Sequence, residues 1–282
     1  MGLMSPSPSG PVADVTLARG RPGQLGEEPA NPLIADRPHD DPGPEYSAAD
    51  LARSGDFRAG AAMSAGDRIK RAKTLYERAV FSGDASVLTE AERGLDAVEA
   101  DAALARGRIL HARFLNERAS AGSSPVEDPA ELPLFERAIE LYRALGDARG
   151  EAEALFWIGC LHQVIRRDNE TAVPELEQSC QLAAQVGDKP TQSEALRHLG
   201  IAAHVAGRLD EARERLEESS RLRREVGALP GVAANMVGLA YIAAAQDRRA
   251  DALATLDEAH AIAQAHGAHA IVRQIEQART DI

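Results

Sequence analysis

Eight histidines and two cysteines are the side chains here most easily put to chemical work. They could serve as metal ligands, proton carriers, or a nucleophile with its base. Their spacing does not assemble them. His198 and His204 are six apart, so on one helix they face different sides. His266 and His269 are three apart but straddle Gly267, where a helix should break. Cys160 and Cys180 lie in no CxxC or Cys/His ligand pattern and do not make a disulfide framework. They read as reduced, buried thiols. No GxSxG, GxxxxGK[ST], HExxH or GxGxxG opening a helix after a strand occurs, so the usual nucleophile elbow, phosphate cradle and zinc helix are absent as motifs. Most carboxylates, such as Glu170, Glu175, Glu177, Asp210, Glu211, Glu214, Glu217 and Glu218, fall on outward helix faces interleaved with arginines at three or four residues, as in RLDEARERLEESSRLRREVG. That is a solvated helix face laced with ion pairs, not a paired acid and base. No metal, cofactor or catalytic residue is expected.

The elements that would hold these residues are helices. Of 282 residues 44% are apolar but only 4% aromatic, and alanine is abundant. Small side chains suit closely packed helices and argue against an aromatic, β-branched sandwich. No stretch alternates at period two for long enough to make a strand. The net charge of −12 opposes a direct phosphate-backbone ligand, so nucleic acid is not expected as a partner. No leader pattern and no membrane-length apolar run is seen, and a soluble, cytoplasmic protein is expected.

Residues 1–65 stand apart. They hold 9 of the 15 prolines and two aromatics, Tyr46 and Phe57, with strings such as SPSPSGP and DDPGP. Such a stretch cannot bury enough apolar surface to offset the entropy of ordering it, and it is expected to be disordered apart from a short helical attempt at Ser47 to Ser54. Met63 opens MSAGDRIKRAKTLYERAV, which itself reads as a protein start, so the tail is either a disordered arm or an upstream extension.

From residue 66 onward the chain repeats itself. Ala172, Ala212 and Ala252 are 40 apart, as are Leu176, Leu216 and Leu256, then Ser179, Ser219 and Ala259, and Gly187, Gly227 and Gly267; Gly146 lies 41 before Gly187, and Pro190 and Pro230 keep the same step of 40. The glycines should end one helix and the prolines should enter the first turn of the next. The alanines should mark where the two helices of a pair come close, with the leucines one turn later filling the contact. The first helices carry Leu155-x2-Ile158-Gly159, Leu196-x2-Leu199-Gly200 and Met236-x2-Leu239-Ala240. With Ala-x3-Leu in the second helices, this resembles the tetratricopeptide consensus, W-x2-L-G-x2-Y followed by A-x3-F. The Trp and Tyr positions are aliphatic or small here, and the period is 40 instead of 34, so longer helices are expected.

The resemblance implies an all-α solenoid of antiparallel helix pairs, clearest over 147–267, with a capping helix after Gly267. Upstream, 132–147 should be a second helix and 103–115 its first, joined by a polar loop. A degenerate pair is expected at Asp67 to Phe81 and Ala85 to Val98. His162, and His111 in ILHARF, take the tyrosine slot and should pack between helices.

By the same resemblance the first helices line a concave groove, holding Phe156, Cys160, Gln163, Val164, Glu194, Arg197, Ile201, His204, Val205, Val237, Tyr241 and Ala244. For Ile201 and Val237, packing between pairs is an equal alternative. The implied function is a non-catalytic scaffold or adaptor that takes an extended peptide or amphipathic helix of another protein. The alternative is a sensor accepting a small molecule or signal peptide in the same groove.

Overall fold

The computed structural model describes residues 63–118 and 125–282. The tail expected at 1–65 therefore lies outside the described residues up to residue 62, and the polar loop does so over 119–124. Ten helices and no strand are present among the described residues.

Helix α1, Ala65–Ser82, starts at Ser64, whose Oγ accepts the Asp67 N–H at 3.1 Å, and stops at Gly83. A 3-10 turn at Ala85–Val87 leads into α2, Leu88–Arg118. The sequence reading of separate helices at 85–98 and 103–115 is corrected here, for α2 runs through both in 31 residues. The physical reason is local: VEADAALAR between them holds only helix-compatible residues, with no proline or glycine to stop the helix.

The rest is a regular stack. Helix α3 is Glu131–Leu145, α4 Ala148–Cys160, α5 Asn169–Gln185, α6 Lys189–Val205, α7 Leu209–Glu225, α8 Leu229–Ala245, α9 Arg249–Ala265 and α10 His269–Asp281. Consecutive helices pack in antiparallel succession. Gly146, Gly187, Gly227 and Gly267 all have positive φ, between 62° and 76°, where a Cβ would be strained. Pro190 and Pro230 sit in the first turn of α6 and α8.

The repeat anchors meet as their sizes require. Ala172, Ala212, Ala252, Leu176, Leu216 and Leu256 are all fully buried. A Cβ added at Gly159 would lie 2.6 Å from Leu176 Cγ, and one at Gly200 3.0 Å from Leu216 Cγ and 3.3 Å from the Ala212 carbonyl oxygen. The small residue of each first helix thus lets the leucine of its partner approach the backbone. Ser179 Oγ donates to the Ala152 carbonyl at 2.7 Å and Ser219 Oγ to the Ser193 carbonyl at 2.6 Å, so each hydroxyl ties a second helix to its first without leaving a buried polar atom unpaired.

One irregularity has a sequence cause. Helix α4 continues as a π-helical turn, Leu161–Ile165, in which the Arg166 N–H bonds the Leu161 carbonyl at 3.2 Å. Gly159 to Ala172 spans one residue more than Gly200 to Ala212. The wide turn absorbs that extra residue and leaves the flanking packing in register. At the C-terminal end α10 buries Ile275 and Ala278 against α8 and α9, closing the core as a capping helix should.

Candidate functional site

The first helices of successive pairs, α4, α6 and α8, also touch one another directly, so they form one side of the stack. The nine residues expected to face a groove divide there into two groups. Phe156, Cys160, Gln163, Ile201 and Val237 are buried, while Glu194, Arg197, His204 and Tyr241 are partly exposed.

Phe156, Cys160 and Gln163 of the buried group join α4 and its π-helical turn to α6. The Phe156 ring meets His198 edge-on with centroids 5.4 Å apart. Gln163, turned inward from the π-helical segment, donates through Nε2 to the His198 carbonyl at 3.1 Å and to Asn169 Oδ1 at 2.9 Å. Its Oε1 accepts from His198 Nδ1 at 2.6 Å. That bond fixes the tautomer, leaving His198 Nε2 as an acceptor 3.6 Å from Cys160 Sγ. Thiol, imidazole and amide are thus arranged in the order of nucleophile, base and orienting group. Their electrostatics are opposite to what that role needs. Burial, followed by the charges of Arg197 and Arg223, pushes His198 down to about 3. Burial first, with Glu194 next, raises the Cys160 thiol well above its ordinary value. Cys160 is only 2% exposed, so the proton stays on sulfur and the pair is neutral at ordinary pH. The thiolate is the reactive form, so this geometry serves packing.

Of the partly exposed group, Arg197 and Glu194 belong to a polar network across α6, α7 and α8. Arg197 Nη1 donates to Asn235 Oδ1 at 3.0 Å. Asn235 Nδ2 donates to Ser219 Oγ at 2.8 Å and Ser220 Oγ at 3.1 Å. Arg223 Nη1 donates to the Gly231 carbonyl at 2.8 Å, and its Nη2 lies 2.6 Å from Glu194 Oε2. A side chain at Gly231 would collide with that guanidinium. Burial, and then the nearby Arg223 charge, push Arg197 down to about 10, with Glu194 opposing. Arg197 remains a cation at neutral pH, but a desolvated one whose hydrogen-bond partner is a neutral amide. Glu194, the nearest carboxylate, is held by Arg223.

Tyr241 donates to Asp281 Oδ2 at 2.8 Å, which ties the last turn of α10 to α8. Burial and that bond raise its phenol. His204 ends α6 with Nδ1 buried and without a hydrogen-bond partner; burial lowers its pKa.

Sequence reasoning missed Asn235, Ser220, Arg223 and Glu131. Asn235 could have been found, since it is one amide in the otherwise apolar VAANMVGLAYIAAA. Glu131 is fully buried and accepts from His111 Nδ1 at 2.8 Å. The His111 ring also packs edge-on against Trp157, centroids 5.4 Å apart, in agreement with its expected interhelical role. Among the described residues no group of three or more His, Cys, Asp or Glu could hold a metal ion, and no helix is long and apolar enough to cross a membrane.

No curated protein matches the chain in sequence. Residues 191–265, spanning α6 to α9, match the tetratricopeptide repeat family, whose repeats generally mediate contacts between proteins. With its helices packed consecutively in pairs and Gly200 of α6 seated on the Ala212-x3-Leu216 of α7, the segment 191–265 carries repeats of the tetratricopeptide repeat family.

Proposed function

We propose that this protein is a non-catalytic scaffold whose first-helix side takes a segment of another protein in a cytoplasmic setting. The carrying observation is Arg197, a largely buried cation in a mostly apolar row with only an amide for a hydrogen-bond partner. A peptide carboxylate or backbone carbonyl supplies what that guanidinium lacks, and a charge-assisted hydrogen bond in a partly desolvated place is among the stronger ones. Glu194 and His204 lie on the same helix and offer polar contacts on either side. Tyr241 supplies a ring with a polar tip, a residue type enriched at interface hot spots. Phe156, Cys160, Gln163, Ile201 and Val237 act from below, by fixing the spacing of the first helices.

The test compares two double variants by pull-down from the native cell. Arg197→Gln with Tyr241→Phe removes the cation and the hydroxyl while keeping volume. Arg215→Glu with Glu218→Arg reverses charges on α7, a second helix. The first pair should lose the captured partner and the second keep it, both remaining helical by circular dichroism. Equal capture by the parent and both variants refutes the reading.

A further inference from the structure

The two ends of the stack are finished differently. At the C-terminal end α10 leaves Arg273, Glu276 and Gln277 exposed. At the N-terminal end Ile69, Tyr76 and Val80 on α1 and Leu88 and Leu95 on α2 are between 38% and 60% exposed.

These residues are ordered. Ile69, Lys73, Tyr76 and Val80 follow the i, i+4, i+7, i+11 spacing of one helix face, and Leu88, Glu92, Leu95 and Glu99 repeat it on α2. The faces buried against each other carry Ala72, Leu75 and Ala79 on α1, and Ala91 on α2 with Val87 at the end of the 3-10 turn before it. Each stripe is that buried face moved one residue on: 72 to 73, 75 to 76 and 79 to 80, then 87 to 88 and 91 to 92. One residue is about 100° of helix. Seen from one end, antiparallel helices wind in opposite senses, so the same one-residue step carries both stripes to the same side of the hairpin. That side is a two-helix face of five apolar and three charged positions, on which Lys73 lies 3.9 Å from Glu77 and Glu99 accepts from Arg137 of α3 at 2.7 Å.

Its charges are of opposite sign on the two helices, and within one copy Arg71 pairs with Glu90 at 2.6 Å and Arg78 with Asp84 at 2.7 Å. In a chain of net charge −12, α1 is basic, with Arg68, Lys70, Arg71, Lys73 and Arg78 against two acids. The facing part of α2, residues 88–101, has five carboxylates and one arginine. The second position of the stripe is Lys73 on α1 and Glu92 on α2.

We infer that this face docks a second copy of the chain about a two-fold axis, with α1 of each copy over α2 of the other. This arrangement sets apolar stripe on apolar stripe and Lys73 against Glu92 twice, as a self-complementary patch must. A face about 27 Å long and two helices wide covers on the order of 500 Å² per copy, at the lower limit for a specific interface, so a weak, concentration-dependent association is expected.

Sedimentation equilibrium of the full chain from roughly 1 to 200 µM, a range that covers weak association, should show the mass rising from 30.0 kDa toward twice that value. Lys73→Glu and Glu92→Lys should each weaken self-association about tenfold, because each sets like charges together at two places. An equimolar mixture of the two variants should pair with parental affinity, since both crossings then join opposite charges. Leu95→Asp should abolish pairing in every combination. Both charge positions are exposed, and unchanged circular dichroism checks the fold. A parent that stays monomeric throughout overturns the inference. So do single variants that associate like the parent, or a mixture that associates no better than its components.

Discussion

Replacing Gly159 by alanine tests the register of the whole repeat. Two effects oppose one another. In a helix interior alanine is favoured over glycine by about 1 kcal/mol. Against this, the new Cβ would lie 2.6 Å from Leu176 Cγ and 2.7 Å from Leu176 Cδ2, when ordinary contact is about 3.5–4.0 Å. Leu176 is fully buried beside Ala172 and has nowhere to go except by parting α4 from α5. Overpacking of this kind costs about 1–3 kcal/mol, and a 1 Å intrusion on a fully enclosed side chain belongs at the upper end. The net expectation is a loss of about 1–2 kcal/mol. Gly94 in α2 is the internal control, because a Cβ there meets nothing within 4 Å; Gly94→Ala should gain about 0.5–1 kcal/mol. Gly200→Ala should fall between them, since its Cβ would stand 3.0 Å from Leu216 Cγ. Urea unfolding of the three variants, read as shifts in midpoint at constant slope, gives the order directly. If Gly159→Ala is as stabilising as Gly94→Ala, the close approach of the helices within a pair is not what makes that position small, and the repeat register is wrong.

The turns within pairs and the buried imidazole give two further tests. Arg167 and Asp247 adopt φ of 56° and 60° at the place where the middle pair has Gly207, φ 74°; Arg167→Gly and Asp247→Gly should therefore each raise stability by about 0.5–1 kcal/mol and Gly207→Ala lower it by about 1 kcal/mol, read from urea midpoints. His198 is pushed down to about 3 in the folded protein but titrates near 6.5 when unfolded. The unfolded chain thus takes up a proton that the folded chain refuses, and this contribution, full above about pH 6.5, is lost as pH falls toward 3, with a slope of up to about 1.4 kcal/mol per unit. His198→Gln should flatten that part of the stability profile, and an unchanged slope would show that His198 is protonated in the fold.

Much of the fold is legible in the residues because a repeat states the same packing rule several times. Gly187, Gly227 and Gly267 mark helix ends by a conformation that few other residues accept, and Ala172, Ala212 and Ala252 mark close approach by size. Helix α2 was misread for the converse reason: between 98 and 103 nothing forbids the helix, and degenerate similarity suggested a break that no residue enforces. The groove was legible only as a row. The nine residues expected there follow helical spacing, but spacing alone does not distinguish a side chain aimed at solvent from one aimed at the next first helix.

Within the clear repeats, 147–267, the sequence by itself determined that the chain is helical, where the glycine-marked helices end and how helices pair, because these depend on neighbours a few residues or one hairpin away. Tertiary structure alone decided which polar groups complete one another. His198 meets Gln163 and Cys160 across 35 and 38 residues. Arg197 reaches Asn235 across 38, and Tyr241 reaches Asp281 across 40. Each of those partners lies about one repeat away, so its identity depends on the twist between successive pairs and on the extra residue absorbed at Leu161–Ile165. Burial then sets the charge state of each group, and burial is a property of the stacked helices that no single helix carries.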